Sequence, residues 1–85
     1  MAHQLVYTRR AVRDIRKLDD SVKRRLKLAL ERYAETPFQF AHRLTDSELG
    51  TYRFRVGDYR VIIDVEDDEV IILRVGHRRD IYRGV

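Results

Sequence analysis

Arg53 and Arg55 alternate with Tyr52, Phe54 and Val56, and Arg60 and Arg74 follow at positions that alternation would bring to the same side of neighbouring strands. A guanidinium keeps its charge at any relevant pH and donates two parallel hydrogen bonds to two oxygens, so several on one surface form a place for phosphate. The run Gly76-His77-Arg78-Arg79-Asp80-Ile81-Tyr82 comes directly after these positions. His77 is of the residue type that titrates near neutrality and serves as general acid or base. Tyr82 is of a type that stacks on a base or hydrogen-bonds a phosphate. A plainer reading weighs equally on the pattern of residues alone. The arginines would then decorate a solvated sheet face and pair with Asp64, Glu66 and Glu69, while His77 sits exposed at a strand end and Tyr82 anchors the tail.

Other chemistries find little support. His3, His42 and His77 lack ligand spacing and there is no cysteine, so neither a zinc site nor a disulfide framework is expected. Gly57 and Gly76 stand singly, which excludes a phosphate-cradling glycine loop, and Ser21 and Ser47 have no histidine at a suggestive distance in sequence. The basic residues Arg9, Arg10, Arg13, Arg16, Lys17, Lys23, Arg24, Arg25 and Lys27 read as solvated helix faces that could also approach a nucleic-acid backbone.

The elements that must position the arginines follow from periodicity. Residues 4–7 read as a strand, Thr8 as a helix cap, and Ala11, Ile15 and Leu18 as the apolar stripe of a first helix. Asp19-Asp20-Ser21 offers a second N-cap, after which Val22, Leu26, Ala29, Leu30 and Tyr33 continue at helical spacing until Thr36-Pro37. Residues 38–50, with Phe38, Phe40 and Leu44 among polar residues and Gly50, read as a connection with some packed side chains. Period two then takes over in strands at 51–56, 59–66 and 69–75, turned by Gly57-Asp58 and Asp67-Asp68. Strict alternation turns Val61, Ile63, Val65, Ile71, Leu73 and Val75 inward, and Arg60, Ile62, Asp64, Ile72 and Arg74 outward. The expected fold is α+β, in the order β-α-α-β-β-β, with a helical hairpin packed on one face of a small antiparallel meander and a tail at 78–85.

With 85 residues, 44% of them hydrophobic and 38% charged, residues 1–85 are expected to form a single domain. The net charge of +4 favours a polyanion or an acidic protein as partner. That charge is uneven: residues 1–42 carry ten basic and five acidic residues, residues 43–85 eight and nine. A count of charge alone thus points away from the arginine strands. No apolar run of membrane-spanning length occurs, so a cytoplasmic location without membrane association is expected.

Tyr52-Arg53-Phe54-Arg55-Val56-Gly57-Asp58-Tyr59-Arg60 and Val75-Gly76-His77-Arg78-Arg79-Asp80-Ile81-Tyr82, with the Arg-Asp-Ile-Arg-Lys-Leu helix before them, resemble the RelE side of the RelE/ParE toxin superfamily. These are toxins of bacterial and archaeal toxin–antitoxin pairs, and the resemblance spans nearly the whole chain. It implies a RelE-like fold and a ribosome-dependent endoribonuclease that cleaves mRNA in the A site and inhibits translation. The ribose 2′-hydroxyl would attack the adjacent phosphate, with no metal and no cofactor. Carried over by position, Arg53, Arg55, Arg60, Arg78 and Tyr82 would be catalytic, and His77 is added to them for its residue type and its place in the run. Arg55, Arg60 and Arg78 would clamp phosphate and Tyr82 would stack a base; Arg53, Arg55, Arg74 and Arg79 would bind RNA. Well-studied members have lysines where this chain has Arg53 and Arg55, and an arginine hardly serves as a base. His77 is therefore assigned a share of the proton transfer while the arginines stabilise the charged transition state. The implied partners are a cognate antitoxin, the ribosome with its message, and operator DNA reached through the antitoxin. Alternatives are a ParE-like inhibitor of DNA gyrase, and a nonenzymatic module whose arginine face binds protein or DNA.

Overall fold

The computed structural model of the protein describes residues 3–45 and 50–81. Strand β1 is Gln4–Tyr7 and helix α1 is Arg9–Arg16. Thr8 makes the junction. Its hydroxyl accepts from the Ala11 amide at 3.1 Å, as an N-cap should, and donates to the Ile72 carbonyl at 2.9 Å, so the start of α1 is fastened to the sheet. Helix α2, Asp20–Tyr33, follows from Asp19 and buries Leu26 and Leu30, one turn apart on the same stripe.

Helix α2 closes at Tyr33 with Ala34 as its C-cap, ahead of the Thr36-Pro37 step expected to stop it, and Pro37 opens a four-residue helix α3, Pro37–Phe40, because a proline suits the first helical position, where no amide bond is required. A two-residue strand β2, His42–Arg43, comes next. The span expected to be a mere connection thus supplies a helical turn and a strand. Phe40 stacks on Tyr33 with centroids 4.4 Å apart, so packing rather than local propensity holds it.

Strands β3 (Tyr52–Val56), β4 (Tyr59–Glu66) and β5 (Glu69–His77) form the antiparallel meander, inside a five-stranded sheet of order β1-β5-β4-β3-β2. The sheet is mixed, since β1 runs parallel to β5. This places the Val- and Ile-rich β5 between two neighbours, where its apolar residues on both faces find cover. The helices take one face. The core there gathers Ala11, Leu26, Leu30, Phe54, Val61 and Ile63 with further residues of β5.

Strict alternation fails along β5. Ile62 faces Arg74 but Ile63 faces Ile72, leaving Leu73 as an extra residue in a bulge. One inserted residue reverses the parity of everything beyond it. Val70 and Ile72 therefore face the core before the bulge and Val75 after it, whereas Ile72 was expected outward and Ile71 and Leu73 inward. The face away from the helices is not wholly solvated either. Ile62 on that face is 0% exposed, because the Gly50-Thr51 stretch lies over it. Asp64 Oδ1 holds that segment down, accepting from the Thr51 amide at 2.8 Å and the Thr51 hydroxyl at 2.7 Å. No helix among the described residues is long and apolar enough to cross a membrane.

Candidate active site

The strand register sorts the basic residues into rows. Arg53 lies between His42 and Ile62, with Arg74 beyond, and Arg55 faces Arg60, with Gly76 beyond. Both rows lie on the face away from the helices, as strand parity predicts. The row of Val56, Tyr59 and His77 belongs to the helix side instead. His77 thus shares the end of the sheet with Arg55 and Arg60 without sharing their face.

What joins these groups is the β3–β4 turn. Gly57 takes φ +59°, a conformation that costs glycine little, and so lets two strands reverse within a pair of residues. Arg60 folds over the turn, its Nη1 donating to the Gly57 and Tyr59 carbonyls at 2.9 Å each. Arg78 reaches the same turn from the tail: its amide donates to the Asp58 carbonyl at 2.7 Å and its Nε stands 3.7 Å from Asp58 Oδ1. The tail is seated by Ile81, 2% exposed, whose Cδ1 lies 3.0 Å from where a Cβ on Gly76 would stand. Arg55 is exposed, and among the described residues it makes no ion pair. Asp64 is occupied by Thr51 rather than by an arginine, so the plain reading of cross-strand neutralisation fails at that residue.

Two residues have partners that narrow their roles. Arg74 Nε donates to Asp14 Oδ2 at 2.9 Å, and the same oxygen accepts from the buried Val75 amide at 3.0 Å. Arg74 is therefore a strut between β5 and α1. His77 Nδ1 accepts from the Arg79 amide at 3.1 Å, which assigns the ring proton of the neutral imidazole to Nε2. In that tautomer His77 presents a donor, and the nitrogen that could take a proton is already occupied. Its ring meets Tyr59 edge-on at 5.5 Å. A groove of about 590 Å³ opens beside it between the end of α1 and β5, lined by Lys17, Leu18, Tyr59, Arg74, His77 and Asp80 among others.

Arg79 is exposed next to these groups, and Arg53 is half-buried one row further in. Tyr82 lies outside the described residues. Asp14 and Asp58 were missed in the sequence, although the acidic residue inside an otherwise basic helix could have marked the first. Arg25 is on an exposed helix face, as expected, and its guanidinium in addition lies against the turn, Nη2 2.6 Å from where a Cβ on Gly57 would stand. Among the described residues no group of three or more His, Cys, Asp or Glu is placed to hold a metal ion.

Comparisons with known proteins agree with this architecture. Residues 5–82 match the family model described as the ParE toxin of the type II toxin–antitoxin system parDE. The chain is 31% identical to toxin RelE3 of Methanocaldococcus jannaschii, covering 93% of this chain and 94% of that protein. It is 33% identical to toxin RelG of Mycobacterium tuberculosis, covering 98% and 99% respectively. Among solved structures, the toxin–antitoxin complex RelBE2 from Mycobacterium tuberculosis matches with a TM-score of 0.81 at 28% identity, over 92% of this chain and 100% of that chain.

Proposed function

The chain belongs to the RelE/ParE toxin superfamily, as a type II toxin of the RelE family, and from that premise we propose that it is a ribosome-dependent mRNA interferase. It cleaves message in the A site without metal and so halts translation in the cytoplasm. The observation that carries this reading is the convergence of Arg60 and Arg78, from a strand and from the tail, on one turn next to the exposed Arg55. Three forks at one sheet end suit a phosphodiester whose charge grows during reaction.

In that reaction the 2′-oxygen forms a bond to phosphorus as the bond to the 5′-oxygen breaks. The proton leaves the 2′-hydroxyl and one is returned to the departing 5′-oxygen. Arg55, Arg60 and Arg78 hold the non-bridging oxygens, and such placed donors are each worth about 3–4 kcal/mol in a dry site. The Arg79 amide modifies the part assigned to His77. With Nδ1 occupied, His77 acts through Nε2–H as a hydrogen-bond donor to the phosphate or the leaving oxygen, and the proton itself passes through water or groups of the ribosome. Tyr82 stacks a base, and Arg53 and Arg79 meet the RNA backbone.

A cognate antitoxin is the regulatory partner. The similarity to a toxin solved with its antitoxin supports this, and operator DNA is reached through that antitoxin. The family-model match to the ParE toxin favours a second reading, inhibition of DNA gyrase without RNA cleavage. Purified ribosomes programmed with a short message, followed by mapping of mRNA 5′ ends, separate the two. New ends at A-site codons with the wild type, lost with Arg60→Ala, are expected; intact message alongside gyrase inhibition would transfer the function to the second reading.

A further inference from the structure

We infer that Arg25 of α2 is a fourth phosphate contact of the site, binding the RNA backbone next to the phosphate held by Arg60 and Arg78. This deepens the ribonuclease reading and rests on it. Arg25 is exposed and directly precedes Leu26, which is buried on the sheet, so its side chain leaves α2 at the rim of the core. From there it crosses to the β3–β4 turn, with Nη2 2.6 Å from the position a Gly57 Cβ would occupy. The absence of a side chain at Gly57 is what gives the guanidinium this place. Arg60 occupies the Gly57 carbonyl from the other side and Arg78 is drawn to Asp58, so guanidinium groups from α2, β4 and the tail meet at a two-residue turn.

The charge at that turn is not balanced. Asp58 is its one carboxylate, 65% exposed, and among the described residues it pairs with Arg78. Arg25 makes no ion pair among the described residues. Three guanidinium groups converging on a turn with one carboxylate oppose one another, and a polyanion crossing the turn relieves that repulsion. Successive phosphates on a flexible strand can be met by forks arriving from different elements, which is the arrangement present here.

The test uses the salt dependence of binding by the full chain, since each phosphate contact on a single strand contributes about 0.7 to the slope of log K against log salt. The probes are an oligoribonucleotide blocked by 2′-deoxy substitution, and ribosomes whose message ends at the P site. Arg25→Gln should lower the slope by about 0.7 at an unchanged melting temperature, and Arg25→Lys should restore it. Arg24→Gln should leave the slope as it is, because Arg24 points about 100° away around the helix. A change seen with the oligonucleotide assigns the phosphate to the message strand, and a change seen only with the ribosome assigns it to ribosomal RNA. Equal slopes for Arg25→Gln and wild type on both probes, while Arg60→Ala lowers them, would overturn the role of Arg25 and leave the ribonuclease reading standing. Wild-type protein that binds neither probe would sink both.

Discussion

Replacing Asp14 by alanine should cost this small protein a large part of its stability. Asp14 is 9% exposed and one oxygen serves two donors, Arg74 Nε at 2.9 Å and the Val75 amide at 3.0 Å. Val75 is 3% exposed, so its amide recovers no water when the carboxylate goes, a loss of about 1–3 kcal/mol. Arg74 is 29% exposed and partly rehydrates, which adds about 1 kcal/mol rather than the full cost of an isolated buried charge. A sum of about 3 kcal/mol compares with a total of roughly 4–13 kcal/mol for a chain of this length. At about 4–8 °C per kcal/mol the melt should fall by roughly 12–24 °C. Asp14→Asn keeps an oxygen for the Val75 amide and should lose less than half as much. Thermal unfolding followed by circular dichroism, with hydrogen exchange at the Val75 amide, measures both. A wild-type melt for Asp14→Ala, or continued protection of that amide, would refute the strut. The same reasoning separates Arg74 from RNA binding: Arg74→Gln should lower the melt and leave the salt slope of RNA binding unchanged.

Gly50→Ala should destabilise by about 1–3 kcal/mol through overpacking, read from denaturant midpoints. The new Cβ would stand 2.7 Å from Ile62 Cγ2 and 2.9 Å from Leu73 Cδ1, with the Ile63 carbonyl at 3.3 Å. Tyr7 has its pKa raised above 10.0, first by burial and then by the charge of Glu31. Its contribution to stability is thus complete below the unfolded value and lost as pH rises through the folded one. Denaturation of Tyr7→Phe should accordingly show a shallower loss than wild type between about pH 9 and pH 11. If His77 acts as a donor, cleavage by His77→Gln should fall while the pH–rate profile keeps its shape. An acidic limb that vanishes in the variant would restore His77 as the base, and undiminished cleavage would remove it from the reaction.

Much of this fold is legible in the sequence because its signals are local. Thr8 marks a helix boundary by its capping hydroxyl, Asp19 by its N-cap position and Pro37 by the missing amide, and alternation in β3 and β4 sorts Arg53, Arg55 and Arg60 onto one face. What escaped depends on contacts distant along the chain. Nothing near β1 announces that it will lie parallel to β5, and β2 is too short for a period to register. The bulge at Leu73 cannot be seen in an unbroken run of apolar residues, where either parity fits the composition. The candidate site divides in the same way. Membership of the arginine rows could be derived from alternation. The engagement of Arg74 by Asp14 and of His77 by the Arg79 amide requires knowing what packs against the end of β5.

The uneven charge of the two halves acquires a meaning from this geometry. The excess of positive residues lies in residues 1–42, yet the forks suited to a reacting phosphate come mainly from the later strands and tail. A diffuse field draws a polyanion in from a Debye length or so and is weakened by salt, whereas hydrogen bonds from fixed forks act only after docking. In this molecule the helices would set the rate of encounter and the sheet end would set the chemistry. Arg25 belongs to both, since it is carried by a basic helix but rests on the Gly57 turn. Added salt should therefore slow association well before it reduces the cleavage rate of bound message, and exchanging Lys23 or Lys27 for glutamine should alter association alone.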